Sequence, residues 1–304
     1  MNFWQKTVYY LLIGLCKLVG FLPYRILYYG IVDVICFFIY NVAGYRVKVV
    51  RENLRNSFPE KTDEELLVIE KKFYKHLSEI FIDTATICAL TCRKLKDRFV
   101  YENAGEIESA MAGRTWLCAM AHYGSWEYTI NYKMYTGHSV AAVYKTLHDK
   151  IFDSFYSYIR SRCGAEPVAM ENVGKVIVRN RRDGIPTAFA LIGDQTPPEH
   201  AIHHWYRFLN QLTPFHMGIE KMALKFKLPV FFLEVKKIKR GYYTGRFVLL
   251  YDGMEDVPEM EITARYAAKL ESMIKERPEL WLWSHKRWKH KPRPGYKYKY
   301  QHGE

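Results

Sequence analysis

Trp116-Leu117-Cys118-Ala119-Met120-Ala121-His122-Tyr123-Gly124-Ser125-Trp126-Glu127 is the stretch on which the fold turns. Its first six residues carry no charge and read as a buried strand. Gly124, which has no Cβ, lets the backbone turn, and residues 125–135 are helical in pattern. Downstream, strand-like and helical segments alternate. Residues 139–144, 186–192, 229–235 and 242–251 read as strands, and residues 149–163, 173–182, 215–226 and 261–276 as helices. This alternation predicts an α/β fold, a mostly parallel mixed sheet flanked by helices. Upstream, residues 46–58 form a basic helical stretch ending at Pro59. Thr62-Asp63-Glu64-Glu65 is a capping box that opens a helix running to about Leu90.

His122 and Glu127 lie five positions apart where that first strand gives way to a helix. With 11 His and 32 acids in 304 residues, about one such pair is expected by chance. The chain has two, the other being His148 and Asp153. Those two fall in a helical stretch, where five residues turn the side chains about 140° apart. His122 instead ends a strand, the place where ligand sites of open α/β sheets gather. An imidazole there can take a proton from an alcohol. The reading is therefore acyl transfer to a hydroxyl, with His122 as base and Glu127 orienting its ring. The alternative is a hydrogen-bonded structural histidine and an ordinary acid at a helix N-terminus. The substrate supplies the hydroxyl, so no enzyme nucleophile is required. Ser125 lacks a Gly-x-Ser-x-Gly elbow, and Cys118 sits inside the strand.

Hydrophobic residues make up 49% of the chain and aromatics 16%, and the net charge is +13. This balance suits a protein that meets a membrane interface and anionic partners. Residues 8–16 and 26–44 are apolar apart from Asp33 and Asn41. They read as a hydrophobic N-terminal anchor over 1–45, crossing the bilayer on a tilt or lying in its interface, or else as a helical hairpin packed on the body. Residues 46–290 are the α/β body, and residues 291–304 a weakly ordered basic tail rich in Tyr, Lys and Pro. The six cysteines include no Cys-x-x-Cys and read as reduced packing residues. His200, His203, His204 and His216 lack the spacing of a metal site. No nucleic-acid motif accompanies the charge.

Several blocks, taken in order, resemble one family over nearly the whole chain. They are Asn53-Leu54 with Ser57-Phe58-Pro59-Glu60, His122…Glu127, and Val143-Tyr144-Lys145 with Asp153, Arg160 and Arg162. Asp194-Gln195 follows, then Phe208, Thr213 and Gly218, and last Glu279…Trp281-Leu282-Trp283-Ser284-His285-Lys286-Arg287-Trp288-Lys289. The chain resembles the late acyltransferases of lipid A biosynthesis, the lauroyl and myristoyl group related to the lysophospholipid acyltransferases. The resemblance implies a glycerol-phosphate-acyltransferase-like fold, His122 and Glu127 as the catalytic pair, and no cofactor or metal. It also implies substrate contacts from Tyr144, Lys145, Arg160, Asp194 and Gln195, with Arg160 beside Asp194. The implied partners are acyl carrier protein or acyl-CoA as donor, a phosphorylated glycolipid acceptor and the membrane surface. The implied location is the cytoplasmic face of the bacterial inner membrane. Other membrane-lipid acyltransferases share the His-x4-acid box. Lys145 stands where Arg is usual and His148-Asp149 where Asn-Pro is common; these departures bear on acceptor and chain length.

Overall fold

A computed structural model describes residues 1–202 and 204–292. His203 and the tail beyond Pro292, for which sequence suggested weak order, lie outside the described residues.

Two helices lead. Helix α1 (Phe3–Gly20) opens on a reciprocal capping box between Asn2 and Gln5. Helix α2 (Tyr24–Val42) is 19 residues long with a mean hydropathy of 1.5, and π turns interrupt it. It is the helix, among the described residues, long and apolar enough to cross a membrane. Most of α2 faces outward, Tyr29, Val34, Phe37 and Phe38 being exposed. Its one acid, Asp33, pairs with Lys75. Two inner positions dock on the body. The Tyr24 hydroxyl donates to the carbonyl of Arg240 at 2.9 Å, and the Arg240 guanidinium donates to the carbonyl of Tyr28.

Helices α3 (Val47–Ser57) and α4 (Asp63–Ala89) follow. The expected capping box of α4 is present. Glu65 N–H donates to Thr62 Oγ1 at 3.3 Å and Thr62 N–H to Glu65 Oε2 at 2.9 Å. Gly20 lets α1 cross the end of α4, because a Cβ there would stand 2.6 Å from that of Ala89.

The chain then runs through α5 (Cys92–Arg98), β1 (Phe99–Tyr101), α6 (Ala104–Ala110) and β2 (Trp116–Met120). After a 3₁₀ helix (Trp126–Met134) come β3 (Ser139–Tyr144), α7 (Lys150–Ser161), β4 (Glu166–Ala169), α8 (Val173–Arg182) and β5 (Thr187–Ile192). A small hairpin of β6 (Tyr206–Phe208) and β7 (Gln211–Thr213) precedes α9 (Gly218–Phe226), β8 (Val230–Lys239), β9 (Tyr242–Tyr251) and α10 (Glu261–Glu276).

Seven strands form one sheet in the order β1-β9-β8-β2-β5-β3-β4. Every neighbouring pair is parallel except β8 and β9. The fold is thus mixed α/β with a mostly parallel sheet flanked by helices. β2 lies at the centre and is buried along its whole length, as a central parallel strand must be. Trp116, Phe189, Phe231 and Phe232 fill the core around it.

The cysteines depart from expectation. Cys92 and Cys163 are joined in a disulfide, while Cys16, Cys36, Cys88 and Cys118 are free. The start of α5 and the loop after α7, 71 residues apart, bring those two Cα atoms to 5.6 Å, well within bridging range.

Candidate active site

Strand register builds the centre of the site. Met120 of β2 lies beside Ile192 of β5. Two residues further along each parallel strand, His122 and Asp194 leave the sheet side by side, one strand spacing of about 4.8 Å apart. His122 Nδ1 and Asp194 Oδ1 are 2.7 Å apart, and the backbone N–H of His122 donates to Asp194 Oδ2 at 2.9 Å. The Trp281 indole N–H donates to the same Oδ2 at 2.8 Å. Asp194 is 2% exposed. Burial opposes its charge, but the charge and hydrogen bond of His122, with the Trp281 and backbone donors, outweigh burial and hold it at about 2. An ionised carboxylate only accepts, so the His122 proton belongs on Nδ1, which leaves Nε2 bare. Nε2 lies 3.4 Å from the amide nitrogen of Gln195. The ring is partly exposed and meets Trp126 edge-on at 5.0 Å.

The C-terminal segment holds this turn from outside. Leu282 N–H donates to the His122 carbonyl and Gly124 N–H to the Leu280 carbonyl, with Tyr123 and Trp281 bridged as in a short antiparallel pair. Gly124 has a φ of +62°, and a Cβ on it would meet Val235 Cγ1 at 3.0 Å. Handedness and space therefore both ask for glycine.

Glu127 is buried three residues beyond Gly124. It is not the partner of His122. Arg160 grips it with two hydrogen bonds, Nη2 to Oε1 at 2.6 Å and Nε to Oε2 at 3.1 Å. This corrects two expectations: Glu127 orients Arg160 rather than the imidazole, and Arg160 is not bound to Asp194. The reason is register. β2 and β5 deliver Asp194 beside His122, while the 3₁₀ helix swings Glu127 toward α7. Arg160 also lies against the rings of Tyr144 and Tyr156, at 5.5 and 5.1 Å. Burial tends to lower its pKa, but Glu127 outweighs this and raises it. Arg162 points away, donating to the Leu90 carbonyl. Lys145 is exposed just past β3.

Three further residues belong to this region. Arg287 is 1% exposed and donates to the Pro214 carbonyl at 2.6 Å, with its guanidinium 4.6 Å from the Phe215 ring. Burial lowers it to about 10, Asp194 acting in the opposite direction. His285 is lowered to about 4 by burial and by Arg287, and His216 is lowered by burial, Arg287 and Lys145. Both rings are therefore neutral at pH 7. The tryptophans of the 281–289 run are core: Trp281, Trp283 and Trp288 are buried, with Lys286 and Lys289 outside.

Ser125 and Cys118 are also buried, and burial pushes the Cys118 thiol well above its ordinary value. His148, at the head of α7, is exposed, and Asp153 accepts from the Leu147 N–H. Among the described residues no group of three or more His, Cys, Asp or Glu is placed to hold a metal ion.

The site thus has one imidazole with its Nε2 toward the Gln195 amide, a buried carboxylate holding its other side, and an arginine–glutamate clamp rooted five residues further along the chain. That set can take up and return one proton at a partly exposed face. A sequence model of the family described as bacterial lipid A biosynthesis acyltransferase matches residues 2–290. No curated protein matches the chain.

Proposed function

The chain belongs to the bacterial lipid A biosynthesis acyltransferase family, and from that premise we propose that it moves a fatty acyl group from a thioester to a hydroxyl of a lipid A precursor. The hydrogen bond between His122 and Asp194 carries the reading. The acceptor hydroxyl gives its proton to His122 Nε2 as its oxygen attacks the thioester carbon. The new C–O bond leaves a tetrahedral oxyanion, toward which the Gln195 amide donates. Collapse breaks the C–S bond. His122, now an imidazolium steadied by Asp194, returns the proton to the departing thiolate. Asp194 is thus a positioning residue of the base, and Glu127 with Arg160 positions the loop that bears it. No covalent acyl-enzyme forms, in keeping with the burial of Ser125 and Cys118.

The donor is acyl carrier protein or acyl-CoA, and the acceptor a phosphorylated glycolipid, in keeping with the net charge of +13. Tyr144, whose ring lies 5.5 Å from the Arg160 guanidinium, and Lys145, the residue after it, contact substrate at the end of β3. Residues 1–45 anchor the body, residues 46–290, on the cytoplasmic face of the inner membrane. Mass spectrometry of lipid A from a strain lacking this protein tests the acceptor. The loss of one acyl chain is expected. Unchanged lipid A, with an acyl chain missing from another membrane lipid, would reassign it.

A further inference from the structure

The sheet has two ends, and they differ. The carboxyl ends of β2, β3, β4, β5 and β8 lie together, because these strands are mutually parallel. His122 and Asp194 leave the sheet there. The hairpin turn after β8 is at this end too, and Arg240 within it holds Tyr24 and Tyr28 of the apolar helix α2. The helix able to enter a membrane and the catalytic turn therefore share one end of the molecule.

The loop after β3 and the turn after β4 also emerge there. With the first turn of α7 they carry Leu147, Phe152 and Met170, exposed by 41%, 51% and 48%. The two segments are tied together, since Thr146 Oγ1 donates to Glu171 Oε1 at 3.3 Å. The loop is ordered despite its apolar tip. Asp153 Oδ1 accepts from Leu147 N–H at 2.9 Å, and Asp149 Oδ1 accepts from the N–H groups of Ile151 and Phe152. Asp149 and Asp153 are thus occupied by backbone donors and Glu171 accepts from Thr146, while Lys145, His148 and Lys150 remain exposed among the apolar side chains. Large apolar groups interleaved with cations on a fixed loop match the boundary between anionic head groups and acyl chains.

We propose that Leu147, Phe152 and Met170 form a second membrane contact, a lip at the mouth of the site that rests in the bilayer surface apart from the anchor. The inference deepens the proposed function: an acceptor with several acyl chains then reaches His122 without leaving the membrane. Ile238, 64% exposed near the end of β8, extends the same face.

The test uses the full chain in vesicles of phosphatidylethanolamine and phosphatidylglycerol. A photoreactive p-benzoylphenylalanine replaces, one at a time, Phe152, Met170, Tyr29 or Met254. Tyr29 on α2 is the positive control. Met254 is 83% exposed but follows β9, which runs antiparallel to β8, so it lies at the other end of the sheet. Irradiation is expected to yield phospholipid adducts at positions 152 and 170 at least about tenfold above position 254, as for side chains seated in the interface. Labelling at 29 with none at 152 or 170, equal labelling at 254, or protein adducts alone at 152 would overturn the proposal. Acyl transfer is measured on the same preparations. Lipid adducts at 152 in a wild-type background that transfers no acyl group would keep the lip and sink the proposed reaction.

Discussion

Two buried aspartates are shifted in opposite directions in this molecule. Asp194, 2% exposed, is held ionised at about 2. Asp83 of α4, 1% exposed, is pushed up to about 6. Burial disfavours charge at both, so burial alone does not separate them. Their neighbours do. Asp194 faces an imidazole, an indole N–H and a backbone N–H. Asp83 faces neutral phenols, Tyr28 at 2.5 Å, Tyr243 at 3.2 Å and Tyr128 at 3.3 Å, with Glu79 on its own helix opposing ionisation further. A buried carboxylate is set for charge stabilisation where donors with positive character converge, and for quiet cross-linking where only hydroxyls do.

Substitution at Asp194 should have the largest effect. Asp194→Asn cannot hold the imidazolium by charge and loses one of its two acceptor oxygens, so acyl transfer should fall about 10³–10⁴-fold. Because the folded pKa is depressed, the stability from this charge is present above about pH 4 and lost as pH falls toward 2. It amounts to about 2 kcal/mol. Denaturant midpoints of wild type and variant should therefore converge in that window. A rate within threefold of wild type would break the distinction between the two aspartates.

Glu127→Gln comes next. It leaves the Arg160 guanidinium without its carboxylate, and breaking one side of such a pair costs about 3–5 kcal/mol where both groups are well buried. Urea unfolding should show a loss toward the lower figure, since Arg160 is 19% exposed. The turnover number should fall about 10–10²-fold through misplacement of the loop. Full activity in the variant would show that the clamp does not position His122.

The smallest effect on rate belongs to Asp83→Asn, with activity within about threefold of wild type because no reacting atom is touched. Stability should move instead. The folded pKa of Asp83 is raised, so its favourable contribution is complete below about pH 4 and is lost as pH rises through about 6. The variant removes that loss and should be more stable at pH 8 by about 1–3 kcal/mol. A variant less stable at pH 8 than at pH 4, to the same degree as wild type, would contradict this assignment.

The sequence made the fold class and much of the site's composition visible, but not its pairing. The spans 139–144, 173–182, 242–251 and 261–276 agree with β3, α8, β9 and α10, because each carries a clear period and firm ends. β4 was missed because Glu166 and Pro167 spoil a strand pattern; it lies on the edge of the sheet, where a proline costs no ladder bond. β1 has three residues and no readable period. His122 and Asp194 each stood out at a strand end, yet their union depends on the β2–β5 register across 72 residues of chain, which no local pattern encodes. The spacing that drew attention to Glu127 is real, but the 3₁₀ helix turns it to Arg160. Arg287 and His285 lie in a run that mixes indoles with cations, and residue types alone do not show that its tryptophans carry these two inward.

Turnover by His122→Ala is the most direct measure of the account. The purified, folded variant would be assayed with an acyl thioester donor and a lipid A precursor, its unfolding midpoint being checked against wild type. The account predicts a loss of about 10²–10⁴ in kcat with the fold retained. Wild-type turnover in the folded variant would contradict it.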